Sequence, residues 1–292
     1  MIAPPVPLRP ALQEAAHRLA AAGVESPRWD AEQLVAHVLG VSRTSLPVVP
    51  NLDAAQYDAL QGLVARRAAR EPLQHIVGSV GFRYVDLAVG AGVFIPRPET
   101  EDVAGYAIDA ARRCGEKPLV VDLCSGSGAI ALSVAHEVKG AVVHAVELDP
   151  GALEWLRRNA AARERAGDAP VAIHEGDVSH ALPELDGTVD VVVSNPPYVP
   201  LAELTDVEPE VRDHDPTMAL VAGPDGLDVI REVEKTARRL LKAGGIVVVE
   251  HSDRQGETAP KVFADAGGWA DVEDHADLVG RPRYVTATKM SP

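Results

Sequence analysis

Aromatic side chains are scarce in this sequence. Three Trp, three Phe and five Tyr among 292 residues leave the core to be built from Val, Leu, Ile and Ala. Cysteine is scarcer. Cys114 and Cys124 stand alone, which excludes a disulfide framework and a four-cysteine zinc site. No metal is expected, and a reducing, cytoplasmic setting is. No run of about 18 apolar residues occurs, so no membrane-spanning helix is expected. The opening stretch MIAPPVPLRP has no basic region ahead of a continuous apolar one, so no signal peptide is read there. Positive charge is also short. The formal net charge is −15; residues 1–80 are balanced, with seven Arg against seven Asp and Glu, so residues 81–292 carry the whole deficit. An acidic surface without a basic stripe repels phosphate, and nucleic acid is disfavoured as the main substrate. Neither an internal repeat nor a low-complexity tract is present.

What is there is a change of pattern along the chain. Residues 8–70 read as helices. Leu12, Ala15, Ala16 and Leu19 share one face, and Ala31, Leu34, Val35 and Val38 share another. Ser26 with Pro27, and Asp53, read as helix starts. Residues 73–96 contain short β-prone runs split by glycines and read as a hairpin. The expected domains are a helical one over 1–72, a linking hairpin over 73–96 and a larger one over 97–292. In the last, a helix begins at Pro98 with Glu99, Glu101 and Asp102 in its first turn. From residue 118, Val- and Ile-rich strands alternate with helices, one of them running from Leu227 to Gly245. That predicts an α/β fold with a mostly parallel sheet covered on both faces, closed by a final strand pair.

The chemistry-bearing residues fall at the ends of these strands. The run VVDLCSGSGAIA (120–131) is a strand, a glycine turn and a helix. Gly126 and Gly128 let backbone N–H groups approach a ligand, and Gly126-x-Gly128-x-x-Ala131 fits a relaxed dinucleotide fingerprint, a weak signal alone. Glu147 ends the next strand, where a carboxylate accepts from ribose hydroxyls. Asp122 would crowd a pyrophosphate with negative charge, but it suits a ligand with a cationic end. S-adenosylmethionine has an ammonium and a sulfonium, and Asp122 could reach the ammonium directly or through water. Asp177, ending EGD, fits an acceptor for the adenine amino group.

The run VDVVVSNPPYVP (189–200) ends a buried strand in an amide, two prolines and a phenol. An NH2 on an sp2 carbon is a poor nucleophile because its lone pair is delocalised. A site helps by accepting from both N–H groups and aiming the nitrogen. Asn195 offers its side-chain oxygen and Pro196 its carbonyl. Pro197 stiffens the turn, and Tyr198 can stack on a flat amide or base. Asn195 cannot act as a general base, so the expected catalysis is positioning plus electrostatics.

DLCSGSGAIA, VELDP, GD and SNPPYVP, in this order, resemble the class I S-adenosylmethionine-dependent methyltransferases of the amino-group type. EPLQHIVGSVGF (71–82), FIPRPETE (94–101) and RDHDPTMALVAGPDGLDVI (212–230) further resemble the HemK-type protein glutamine N5-methyltransferases. The likeness spans roughly residues 70–288. It implies a Rossmann-like class I fold with an antiparallel closing strand and a small helical domain that docks substrate. It also implies methyl transfer from S-adenosylmethionine to the Gly-Gly-Gln glutamine of bacterial peptide chain release factors. Cys124, Ser125, Gly126, Ser127, Gly128, Glu147, Asp177 and Val178 would hold the cofactor, with Asp122 and Asn195. Asn195 to Tyr198 would hold the glutamine amide. Arg97, Glu99 and Thr100 would line the mouth. Two positions depart from the family pattern: Cys124 replaces a frequent glycine, and Val178 stands where some members have an aromatic.

A monomer without stable nucleic acid is expected. Residues 199–222 are expected to form a lid or clamp. His214, Asp215 and His251 read as structural. Rival readings are glutamine methylation of a ribosomal protein, amino-group methylation of a nucleic-acid base, a nicotinamide oxidoreductase and a non-catalytic cofactor-binding module.

Overall fold

The computed structural model describes residues 5–291; residues 1–4, part of the stretch read for a signal peptide, lie outside the described residues. The chain gathers into two compact units. One takes the chain up to Ser79 together with Glu208–His214. The other takes Val80–Val207 and the chain from Asp215 onward.

In the first unit, β1 (Val6–Pro7) pairs antiparallel with β2 (Asn51–Leu52). Helices α1 (Leu8–Ala21), α2 (Pro27–Leu39) and α3 (Ala54–Ala68) pack around Leu8, Ala15, Leu19, Leu34, Val35 and Leu60. Asp53 forms the capping box of α3 with Gln56: each side chain accepts from the other's backbone N–H. Ser26 holds the corresponding position of α2 but makes no capping bond; Pro27 removes one of the N–H groups that would need a partner. Residues 73–77, expected in the hairpin, form a short helix instead, α4 (Leu73–Val77). Pro72 pre-sets its start and Gly78, at φ +79°, ends it. The hairpin is β3 (Ser79–Phe82) with β4 (Val85–Ala88).

A charged cluster is buried in the first unit. Arg67 Nε donates to Asp30 at 2.7 Å, and Arg67 Nη1 to Glu210 at 2.8 Å. Arg70 Nη2 meets the other Glu210 oxygen at 2.6 Å. Burial pushes the Glu210 carboxyl up, but the hydrogen bonds from Arg70 and Arg67 outweigh it and hold it down at about 2.

The second unit is a seven-stranded sheet in the order β10-β11-β9-β8-β5-β6-β7. Its elements are α5 (Thr100–Arg113), β5 (Leu119–Leu123), α6 (Ala129–Glu137), β6 (Val142–Glu147), α7 (Pro150–Arg165), β7 (Val171–Glu175), β8 (Val189–Ser194), α8 (Asp228–Leu240), β9 (Leu241–Glu250), α9 (Thr258–Ala266), β10 (Trp269–Ala276) and β11 (Pro282–Lys289). Strands β5 to β9 are parallel, and β11 closes antiparallel on β9 and β10. This is the expected Rossmann-like α/β fold. Side chains alternate across it. Val120, Val143, Val191 and Val248 join the core under α5, α6 and α7. Val121, Val146, Val192 and Val247 join the core under α8 and α9. Both faces are covered, which is why the strands read as unbroken apolar runs. Helix α8 ends at Leu240, earlier than expected. Leu241 already pairs with Val189, and the register then jumps to Ile246 opposite Val191, so residues 242–245 are absorbed as a bulge.

The strand order reverses between β5 and β8. Leu123 and Ser194 are in register there, so the loops after both strands leave the carboxyl edge side by side. Ligands of such sheets bind at this switch point.

Candidate active site

The glycine loop starts from a strained backbone. Cys124 sits at φ +60°, the left-handed region that favours glycine, which is the physical content of the glycine usual there. Ser125 N donates to Val146 O at 3.0 Å, and Gly128 N returns to Ser125 O at 2.8 Å. Gly128 is at φ +90°, and a Cβ on it would lie 2.6 Å from Leu156 Cδ1 and 3.0 Å from Leu132 Cδ1. Glycine is therefore required by both torsion and space.

Glu147 pins this loop. Its Oε2 accepts from Gly126 N at 2.7 Å, and Oε1 accepts from Leu148 N and Asp149 N at 2.8 Å each. Burial pushes its pKa up against these three bonds. Asn159, 3% exposed on α7, holds the loop from behind. Its Nδ2 donates to Ser127 O at 3.0 Å, and its Oδ1 accepts from Ala88 N at 2.8 Å. Asn159 is not among the residues the sequence motifs single out. Its signal was a lone amide continuing the apolar spacing Ala152, Leu153, Leu156.

Asp122 is 1% exposed. Its Oδ2 accepts from Ala131 N at 3.1 Å, while Oδ1 has no partner among the described residues. Burial pushes this carboxyl up to about 7, against the Ala131 and Ser125 donors. The stretch 119–138 carries no Lys or Arg. A buried acid with one open oxygen, beside a loop without cations, fits a ligand with a positive end and does not fit a pyrophosphate. The donor set therefore suits S-adenosylmethionine. Asp177 is exposed and caps the turn at 178–180: its Oδ1 accepts from Ser179 N at 2.8 Å and Ser179 Oγ at 2.5 Å. The Ser179 bonds hold its carboxyl low. Val178 is buried in the core under α8 and α9.

On the neighbouring strand, Ser194 Oγ donates to Leu123 O at 2.7 Å, tying the two strand ends together. Asn195 follows, half-buried, and its Nδ2 donates to Thr100 Oγ1 at 3.2 Å. Pro196 is buried and Pro197 half-buried. Tyr198 turns its hydroxyl onto Glu250 Oε1 at 3.3 Å; burial, with Glu250 beside it, pushes the phenol up. The Tyr198 carbonyl is held by Gln255 Nε2 at 3.1 Å. Gly226, at φ +73°, packs on that same carbonyl, where a Cβ would come to 2.2 Å. Residues 199–222 return to this point, with Val199 N on Leu220 O at 2.8 Å and Ala222 N on Val199 O at 3.0 Å.

The PRPETE segment divides. Glu99 is exposed, and Arg97 pairs with Asp215 at 2.8 Å and lies over Phe94. Thr100, expected at the mouth, is 2% exposed and lies against Asn195. Helix α5 starts at Thr100, not Pro98, because a turn of Thr100 N on Arg97 O and Glu101 N on Pro98 O precedes it. Burial pushes Asp215 up to about 6 against Arg97. His251 is fully buried, and its Nδ1 donates to Ser252 O at 2.9 Å. Glu250 was not singled out from sequence. It is 1% exposed, and burial pushes it up to about 7 against Thr100, Arg283 and Tyr198. No group of His, Cys, Asp and Glu able to hold a metal occurs among the described residues.

Comparison with known proteins adds a family to this geometry. A family model described as the PrmC N-terminal domain matches residues 10–78, and one described as the methyltransferase small domain matches residues 110–208. A release factor glutamine methyltransferase of Streptomyces coelicolor is 56% identical over 281 residues, covering 96% of this chain and 97% of that protein. One from Mycolicibacterium smegmatis is 48% identical, covering 97% and 98%. One from Mycobacterium tuberculosis is 44% identical, covering 97% and 91%.

Proposed function

The chain belongs to the release factor glutamine methyltransferase family, and on that premise we propose that it methylates the side-chain amide nitrogen of the Gly-Gly-Gln glutamine in peptide chain release factors. S-adenosylmethionine supplies the methyl group, on a sulfonium that makes the methyl carbon electrophilic. The loop Cys124–Gly128, with Glu147 and Asp122, binds the cofactor. Asp122 faces its ammonium, and Glu147 shapes the loop and takes the ribose. Asp177 and Val178 flank the adenine. Asn195 Oδ1 and the Pro196 carbonyl accept the two N–H bonds of the glutamine amide. Tyr198 covers its plane, and Pro197 stiffens the backbone between them. As the nitrogen attacks, its N–H bonds become more acidic and these two hydrogen bonds strengthen, so the acceptors favour the transition state over the ground state. The proton leaves nitrogen after the C–N bond has formed and the C–S bond has broken.

The observation that carries this reading is the Asn195 amide. One of its two N–H groups goes to Thr100, which assigns Oδ1 as the acceptor for the substrate, one strand away from the glycine loop. An acceptor next to a cationic methyl donor is what a neutral amide nitrogen needs. The helical unit serves as the docking module for the protein substrate, and residues 199–222 clamp it. The acidic balance of residues 81–292 favours a protein substrate over nucleic acid. We assign the enzyme to the cytoplasm as a monomer.

The test is methyl transfer from labelled S-adenosylmethionine to purified release factor. A release factor with Gln→Ala in its Gly-Gly-Gln motif, ribosomal protein, total RNA and DNA serve as controls. Label on the normal factor alone is the expected result. Label on nucleic acid or ribosomal protein, with none on release factor, overturns the reading.

A further inference from the structure

The side-chain amide of Asn195 has two faces of opposite hydrogen-bonding sense. Only one of them suits a substrate that presents N–H groups. Something must hold the oxygen outward, because the amide turns over readily and its shape is nearly the same both ways. The residues beneath it form a chain. Asn195 Nδ2 lies 3.2 Å from Thr100 Oγ1. Glu250 Oε2 has no hydrogen-bond partner among the described residues, and the Thr100 hydroxyl beside the carboxyl favours its ionised form. Tyr198 Oη donates to Glu250 Oε1 at 3.3 Å, and Arg283 lies near enough to favour the ionised carboxylate. Thr100 and Glu250 are both buried.

We propose that Thr100 and Glu250 are positioning residues that lock the Asn195 amide with its oxygen toward the substrate. The inference rests on the methyl-transfer reading above. A hydroxyl has one proton to give. Above its raised pKa of about 7 the Glu250 carboxyl is ionised and only accepts, so at pH 8, where the variants are compared, the Thr100 proton points at Glu250. The Thr100 lone pair is then what faces Asn195, and it matches the NH2 group alone. Donor sense runs in one direction, from Asn195 through Thr100 to Glu250. Neither Thr100 nor Glu250 touches the reacting atoms in this account.

Reversing the end of the chain reverses the rest. In Glu250→Gln, the new carboxamide can still accept from Tyr198 with its oxygen while its NH2 faces Thr100. The Thr100 proton then turns to Asn195, whose oxygen follows it inward. The NH2 of Asn195 now meets the substrate N–H, donor against donor. Thr100→Val removes the relay and leaves the amide free to turn, whereas Thr100→Ser keeps the hydroxyl.

The experiment compares wild type, E250Q, T100V and T100S at pH 8 with release factor as substrate. E250Q and T100V are expected to lose roughly ten- to a hundredfold in kcat. Their KM for release factor and their affinity for S-adenosylhomocysteine should stay within about threefold, because docking and cofactor contacts lie elsewhere. T100S should recover most of the activity, which a merely space-filling role would not require. Independently of turnover, nuclear Overhauser contacts between the Asn195 NH2 protons and the Thr100 methyl should be present in wild type and lost in E250Q. Kcat within twofold of wild type for both variants, or equal loss in T100S and T100V, overturns the inference. So does an unchanged Asn195 contact in E250Q. A wild type that fails to label release factor overturns the functional reading instead, and the magnetic resonance arm still decides the orientation.

Discussion

Cofactor affinity should depend on pH through Asp122. This carboxyl is buried, has one unpaired oxygen and is pushed up to about 7 by burial. An ammonium pairs only with its ionised form. At pH 6 roughly a tenth of Asp122 is ionised, and at pH 7.5 about three quarters. The affinity for S-adenosylmethionine should therefore rise about eightfold over that interval, or about 1 kcal/mol. The interval stops at 7.5 because an α-amino group itself loses its proton near 7.7–8.0. S-adenosylhomocysteine keeps the ammonium and lacks the sulfonium, so it should show the same slope. Glu147 also lies in the site with its pKa raised by burial, and Asp122→Asn separates the two. The variant should bind more weakly at pH 7.5 and with most of the slope gone. Isothermal titration calorimetry in two buffers of different ionisation enthalpy reads both the affinity and the proton released. A flat wild-type profile, or an undiminished slope in the Asn variant, would refute the pairing of Asp122 with the ammonium.

Asn195→Ala should cut methylation of release factor by about a hundredfold or more while cofactor affinity stays within a few-fold, as measured by turnover and titration side by side. Gly128→Ala forces a Cβ against Leu156 Cδ1 at 2.6 Å and a side chain into φ +90°; it should lower stability by about 1–3 kcal/mol in urea melts and weaken cofactor binding. Glu210→Gln removes the negative charge and turns one of the two acceptor oxygens facing Arg67 and Arg70 into a donor, and should cost about 2 kcal/mol at pH 7. Because the Glu210 carboxyl is held down at about 2, its contribution is present above about 4.5. It disappears as pH falls toward 2, so the wild-type and variant melts should converge there.

The motifs and the strand sequence were legible because both depend on local pattern. The valine runs at 191–193 and 247–249 fit strands covered on both faces. Once β5 and β8 are adjacent, the glycine loop and Asn195 must meet. What escaped was set by distant partners. Asn159 looks like a polar residue on a helix until Ala88 and Ser127 are placed beside it. Thr100 was expected at the mouth, but its burial against Asn195 depends on a partner 95 positions away. The segment 208–214 has no pattern of its own, because its anchor is an ion pair to arginines about 140 positions earlier. Glu250 reads as the polar exit of a strand, and nothing nearby in sequence predicts that it stays buried.

That burial has a cost that can be measured. In the sheet, Ser194 is opposite Val249 and Leu123 opposite Ser194, so Cys124, Asn195 and Glu250 follow in one row at the carboxyl edge. Neighbouring strands are about 4.8 Å apart, which puts Glu250 next to Asn195 and beyond the cofactor loop. A carboxyl there is poorly solvated, and burial raises it to about 7 from about 4.3 in an unfolded chain. The folded state thus holds this proton more tightly than the unfolded one. The contribution to stability is complete below about pH 4.3 and is lost as pH rises through about 7, up to about 4 kcal/mol for the whole shift. Glu250→Gln has no proton to lose. It should be more stable than wild type in urea melts at pH 8, by about 1–3 kcal/mol, and about equal at pH 4. Yet it should be the slower enzyme. A variant that gains stability at high pH while losing kcat shows that the ionised carboxylate is kept for the orientation of Asn195, at a cost to the fold. A Glu250→Gln protein that is less stable than wild type at pH 8 would mean that Thr100, Tyr198 and Arg283 stabilise the carboxylate more than its burial penalises it.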